Sequence, residues 1–114
     1  MEVSVTARKF ELSESLRQFA EERLARLLRY DSRLLRVAVT LTEEKRGRTA
    51  EALAAISGDV DVHAEATAED FRSALNRVSE KLTRQLKRRH DQYRDHQAPR
   101  LGRDIEPEEA IEAE

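Results

Sequence analysis

The 114 residues contain no cysteine, which removes disulfide staples and thiolate metal sites together. Only three glycines are present, so little backbone is available to cradle a cofactor, and neither a glycine-rich phosphate loop nor a GxSxG turn occurs. Nowhere do about 18 apolar residues run consecutively, as a membrane span would need. The opening Met1-Glu2-Val3-Ser4-Val5 lacks the basic region and apolar run of a signal peptide. A soluble, cytoplasmic chain without membrane contact or cofactor is the expectation. A chain of this length forms one domain and buries roughly two-thirds of its unfolded surface, enough for an unstapled core.

Catalytic constellations are equally scarce. His63, His90 and His96 are spread over a strand and a helix end without metal-ligand spacing, and each reads as an exposed polar residue. Glu21-Glu22 and Glu43-Glu44 are adjacent pairs, whose side chains diverge on a helix or a strand. Solvated charge is their simplest role. The sequence therefore points away from an enzyme and from a resident metal.

Charge is plentiful but uneven. Lysine and arginine number 21 and acids 23, for a net charge of −2. Residues 97–114 hold two of the basic residues, Arg100 and Arg103, and six of the acids, so they carry −4, while residues 1–96 carry 19 − 17 = +2. A mildly basic body, residues 1–96, thus precedes an acidic tail, residues 97–114. The tail's few scattered apolar residues bury too little to offset chain entropy, and it is expected to be disordered.

Within the body, hydropathy alternates in two periods. Val3, Val5 and Ala7 alternate with polar residues as in a half-buried strand, as do Val37, Val39 and Leu41. Residues 48–56 form a third strand whose inward positions are mostly alanine, and Val60, Val62, Ala64 and Ala66 mark a fourth. Turns are expected at 44–47 and at Ser57-Gly58-Asp59. Ser13 is a plausible N-cap for a first helix over 14–29, with Leu16, Phe19, Ala20, Leu24, Leu27 and Leu28 on its apolar stripe. Phe71, Leu75, Val78, Leu82 and Leu86 define a second helix over 69–96. That helix is about 42 Å long, whereas seven or eight strand residues span about 25 Å, so its last turns overhang. The order β-α-β-β-β-α implies an α+β fold, a two-layer sandwich with a four-stranded mixed sheet and two helices on one face. The first crossover makes strands one and two parallel.

The basic residues of the second helix are not scattered. Arg77, Lys81, Arg84 and Arg88 fall within an arc of about 60° bordering the apolar stripe, and Lys87, Arg89, His90 and Arg94 add charge toward the end. The first helix carries Arg23, Arg26 and Arg29 at three-residue spacing. Exposed helix faces are commonly solvated by such side chains, but segregation from acids favours a phosphate-binding surface. Tyr30 and Tyr93 are either base-stacking residues or packing residues.

Particular stretches carry a family resemblance. Phe10-Glu11-Leu12-Ser13 leading into Leu16-Arg17, then Arg23-Leu24-Ala25-Arg26-Leu27, resembles the opening of the ribosome hibernation-promoting factor family. Ala64-Glu65-Ala66 ahead of Glu69-Asp70-Phe71 and Ala74-Leu75 is similar too, as is Lys81-Leu82-Thr83-Arg84-Gln85-Leu86. The resemblance spans residues 1–96 and implies the same β-α-β-β-β-α fold. It also implies binding of the small (30S) ribosomal subunit, contact with 16S rRNA between head and body, and overlap with mRNA and the A- and P-site tRNAs. By motif position the rRNA contacts are Arg23, Arg26, Arg29, Lys81, Arg84 and Arg88. Arg77 and Lys87 join them from the charge pattern. The acidic tail is similar to that of the ribosome-associated inhibitor (protein Y) branch and is a candidate contact for basic ribosomal proteins. A free monomer is expected. Two rival readings are a double-stranded RNA-binding domain and a protein-interaction regulator. The first usually has a basic start to its second helix, whereas Ala68-Glu69-Asp70 is acidic.

Overall fold

Alternation and helical stripes resolve into four strands and two helices in a computed structural model that describes residues 1–97, with side chains to residue 91. In order they are β1 (Glu2–Arg8), α1 (Glu14–Ala25), β2 (Leu34–Glu44), β3 (Gly47–Ile56), β4 (Val62–Ala68) and α2 (Phe71–Gln97). The sheet runs β1-β2-β3-β4; β1 and β2 are parallel and the other neighbours antiparallel. This is the expected α+β fold. The acidic tail, apart from Gln97, lies outside the described residues, as do the side chains of Tyr93, Arg94 and His96.

One face of the sheet is apolar and receives both helices. Val37, Val39 and Leu41 of β2 pack with Leu24 and Leu27 and with Leu75, Val78, Leu82 and Leu86 of α2 in a single buried cluster. The alanines that made β3 a weak strand by pattern have a structural purpose. Ala50, Ala52 and Ala54 of β3 and Ala64, Ala66 and Ala68 of β4 are buried in that cluster. Small side chains there leave room for the leucines of the helix above, so volume is shared unevenly between layers. Stacked Phe10 and Phe71, with centroids 4.3 Å apart, pin the loop before α1 to the start of α2.

The helix ends show where local chemistry overrode periodicity. Ser13 caps α1 by accepting the Leu16 N–H at 3.1 Å, as expected. Its far end departs from expectation: residues Arg26–Arg29 form a 3₁₀ turn rather than a continuation of the α-helix. A Tyr30 N–H bond to the Leu27 carbonyl, 2.9 Å, tightens this last turn. Tightening rotates Leu28 off the core, leaving it 39% exposed, whereas Leu27 remains buried. The second helix begins at Phe71, because Asp70 accepts the Ser73 N–H at 2.8 Å and acts as its cap. Hydrogen bonds from the Ser73 backbone and side chain hold the Asp70 carboxyl below its ordinary value.

Val60, expected in the fourth strand, lies outside it and is mostly exposed. Gly58 at φ 74° turns the chain, and the Val60 N–H bonds the Asp59 carboxylate at 2.7 Å, diverting the backbone from the ladder. With 27 residues, α2 is about 40 Å long and outruns the seven-residue β4, which spans about 23 Å. No helix among the described residues is long and apolar enough to cross a membrane.

Candidate nucleic-acid interface

Cations from the two helical segments converge on one groove. Arg23 projects from α1, Arg26 and Arg29 from the 3₁₀ turn, and Arg84 from α2, around a groove of about 370 Å³. Ser79 and Thr83 supply hydroxyls, Leu27 and Tyr30 an apolar floor, and Glu80 the lining's acid. The change from α to 3₁₀ geometry does not scatter the first set, because residues three apart nearly eclipse in a 3₁₀ helix. Arg26 and Arg29 therefore point the same way. Arg26, Arg29, Arg84 and Arg88 have no ion-pair partner among the described residues. The Arg23 Nε is buried without a hydrogen-bond partner. That nitrogen is closed to solvent, so an anion entering the groove would meet the other N–H donors of the Arg23 guanidinium.

Arg84 also borders a second hollow, of about 480 Å³, lined by Lys81, Gln85 and Arg88 of α2 and by His63 and Glu65 of β4. Arg84 is therefore the ridge shared by both hollows. Lys87 stands apart, its ammonium 5.7 Å from the centroid of the Tyr30 ring. Tyr30 is thus engaged by Lys87 and half-buried at the end of the 3₁₀ turn.

A second row of α2 side chains was not visible in the arc of Arg77, Lys81, Arg84 and Arg88. Arg77 donates to the Thr67 carbonyl at 2.8 Å, Lys81 to the Glu65 carbonyl at 2.7 Å and Gln85 to the His63 carbonyl at 2.9 Å. Arg89 completes the row, bonding the Val60 carbonyl at 3.3 Å and the Asp59 carboxylate at 3.1 Å. Four helix residues rise about 6 Å, and two strand residues about 6.6 Å, so i, i+4 side chains meet alternate carbonyls in step. The four-residue spacing of Arg77, Lys81, Gln85 and Arg89 was the available signal. It became meaningful only once β4 was known to run antiparallel beside α2.

At the far end of that row charges are fully paired. Arg33 bonds the buried Asp31 at 2.9 Å and lies 3.6 Å from Asp59, which in turn pairs with Arg89. Burial alone would raise the Asp31 carboxyl, but the Arg33 hydrogen bonds and charge, helped by His90, outweigh it and leave it below the ordinary value. On the opposite sheet face His63 Nε2 lies 3.1 Å from Glu51. No group of three or more metal-ligating side chains occurs among the described residues.

Fold and groove together define a small α+β module that gathers unpaired arginines from two helical segments. The family model described as Sigma 54 modulation protein / S30EA ribosomal protein matches residues 3–94, and the chain belongs to that family. It is 32% identical to the ribosome hibernation promoting factor of Escherichia coli K12 over 96 residues, covering 84% of this chain and all of that one. The Azotobacter vinelandii protein of the same name is 35% identical over 86 residues, 75% of this chain and 79% of its own. Among solved structures, the N-terminal domain of Thermus thermophilus Protein Y superposes with a TM-score of 0.70 at 29% identity, covering 77% of this chain and 98% of that domain.

Proposed function

We propose that this protein is a ribosome-associated hibernation factor that binds the small subunit through 16S rRNA in the channel used by mRNA and the A- and P-site tRNAs. Translation is silenced by occupancy, without chemistry. The observation that carries the reading is the groove in which Arg23, Arg26, Arg29 and Arg84 converge without acidic partners among the described residues, apart from Glu80 in the lining. Guanidinium forks match phosphate geometry and lose little by leaving water. Relatives over most of the chain carry the name of ribosome hibernation promoting factor, which supports the same partner.

Within this reading the contacts fall into two grades. Arg23, Arg26, Arg29, Arg84 and Arg88 face phosphates directly. Arg77, Lys81 and Lys87 contribute field more than contact, since each already has an intramolecular partner. The acidic segment 97–114 gains nothing beside phosphates and meets basic ribosomal proteins instead.

The test is co-sedimentation with purified 30S subunits through sucrose at several salt concentrations, comparing the protein with an R23A/R26A/R84A variant. Three lost phosphate contacts lower the log–log salt slope by about 2–3. Unchanged affinity in a folded variant removes the groove from the reading. Failure of the intact protein to pellet even at low salt removes the ribosome, leaving a protein-interaction regulator. In cell-free translation, inhibition should plateau near one copy per small subunit.

A further inference from the structure

We propose that the free β1 edge is a homotypic pairing surface, through which two copies of this chain join into one continuous eight-stranded sheet. An open sheet has two edges, and here they are treated very differently. Along β4 the outward carbonyls of Thr67, Glu65 and His63 are each taken by a side chain from α2. A second strand cannot hydrogen-bond there without displacing those bonds. Such cover is one way a sheet edge is kept from pairing. Along β1 no described side chain does the equivalent, and Val3 and Val5 on its inner face are only partly buried. Pairing would cover them.

The occupant follows from the strand's own pattern. In an antiparallel pair with its two-fold axis at Val5, residues whose numbers sum to ten stand opposite each other. Val5 then meets Val5 of the second copy and Val3 meets Ala7, all on the apolar face. On the other face Ser4 meets Thr6, and Glu2 meets Arg8 twice by symmetry. Opposite charges thus fall opposite each other at both ends, and a one-residue slip would place apolar side chains against polar ones. Lys9, at φ 70°, turns the chain out of the strand and limits the pairing to seven residues. Because β4 is closed, assembly ends at an isologous dimer and does not grow into a filament. So short an edge buries far less than the roughly 1,200–2,000 Å² of a stable complex, so the dimer is weak and reversible. β1 lies on the far side of α1 from the cationic groove, so a pair retains both grooves. The proposal is independent of the ribosomal reading and replaces the monomer expected from sequence.

The absence of cysteine provides the experiment. A Val5→Cys protein, oxidised without ribosomes, should form a disulfide-linked dimer, because cross-strand Cβ atoms at the axis stand about 4.5–5.5 Å apart. A Glu65→Cys protein, with its thiol beside the covered edge, should not. Sedimentation equilibrium of the unmodified chain should show mass rising toward two copies from micromolar to millimolar concentration. In that assay Glu2→Arg alone or Arg8→Glu alone should weaken association by about tenfold or more, and the E2R/R8E double variant should restore it. A chain that stays monomeric at millimolar concentration overturns the proposal, as does equal cross-linking of both thiols or failure of the double variant to recover.

Discussion

Arg84 and Gln85 are neighbours on one helix, yet they belong to regions with opposite electrostatic situations. Arg84 borders a groove where arginines from two segments converge with their donors largely unclaimed. Gln85 stands in a row with Arg77, Lys81 and Arg89, whose donors are committed to β4 and to the turn before it. Charge density along the helix does not separate the two. The difference lies in what stands opposite: another helical segment's cations in one case, a row of bare backbone acceptors in the other. A basic stripe is therefore a binding surface only over the part that its own fold leaves unclaimed.

Disrupting the groove should have the largest effect on function and a small one on folding. In the R23A/R26A/R84A variant ribosome affinity should collapse at moderate salt, with stability changed by no more than about 0.5 kcal/mol at each of the exposed positions Arg26 and Arg84 and by the lost stem packing of half-buried Arg23 besides. Loss of affinity through unfolding would be visible by circular dichroism and would erase the contrast.

Asp31 marks the fully paired extreme. Its side chain is inaccessible and bonds Arg33 through both carboxylate oxygens. Asp31→Asn should cost about 1–3 kcal/mol at neutral pH by leaving a charged donor poorly matched. The folded carboxyl is held below its ordinary value of 3.8. Its stabilisation is therefore complete above about pH 4 and is lost as the pH falls through the folded value. Melting curves from pH 7 downward should show a shallower acid limb for Asp31→Asn than for the unmodified protein. Parallel limbs would mean that this pair does not drive the acid response.

The row along β4 should give the smallest effects and the sharpest test of the contrast. Gln85→Leu removes an uncharged rung and should lower stability by up to about 1 kcal/mol without altering the salt slope of ribosome binding. Lys81→Met, which keeps the aliphatic stem, should show a similar stability loss with a slope change well below the roughly 0.7–0.9 carried by one direct phosphate contact. A slope change as large as that of Arg84→Ala would return Lys81 to the direct phosphate contacts.

Much of this was readable before any coordinates. The alternation of Val37, Val39 and Leu41 and the stripe from Phe71 to Leu86 report which side chains must leave water, and hydrophobic partition acts on those patterns directly. Arg23, Arg26 and Arg29 were singled out by their spacing and Arg84 by its arc, but that the two sets line one groove was not contained in either pattern. Errors fell where single hydrogen bonds decide. The 3₁₀ turn that exposes Leu28 depends on a backbone bond at Tyr30, and the late start of β4 on Asp59 reaching the Val60 N–H. Hydropathy is blind to both.

By itself, then, the sequence determined the number and kind of elements, the apolar face of each and the enrichment of cations on two helical segments. Each of those is a property of residues close in the chain meeting water or avoiding it. Tertiary structure alone decided which cations stay free. Arg77 and Lys81 find their acceptors 10 and 16 residues away on β4, and the open and closed edges differ because α2 lies beside one and not the other. Those outcomes depend on the distance between elements, which folding sets and local spacing does not contain.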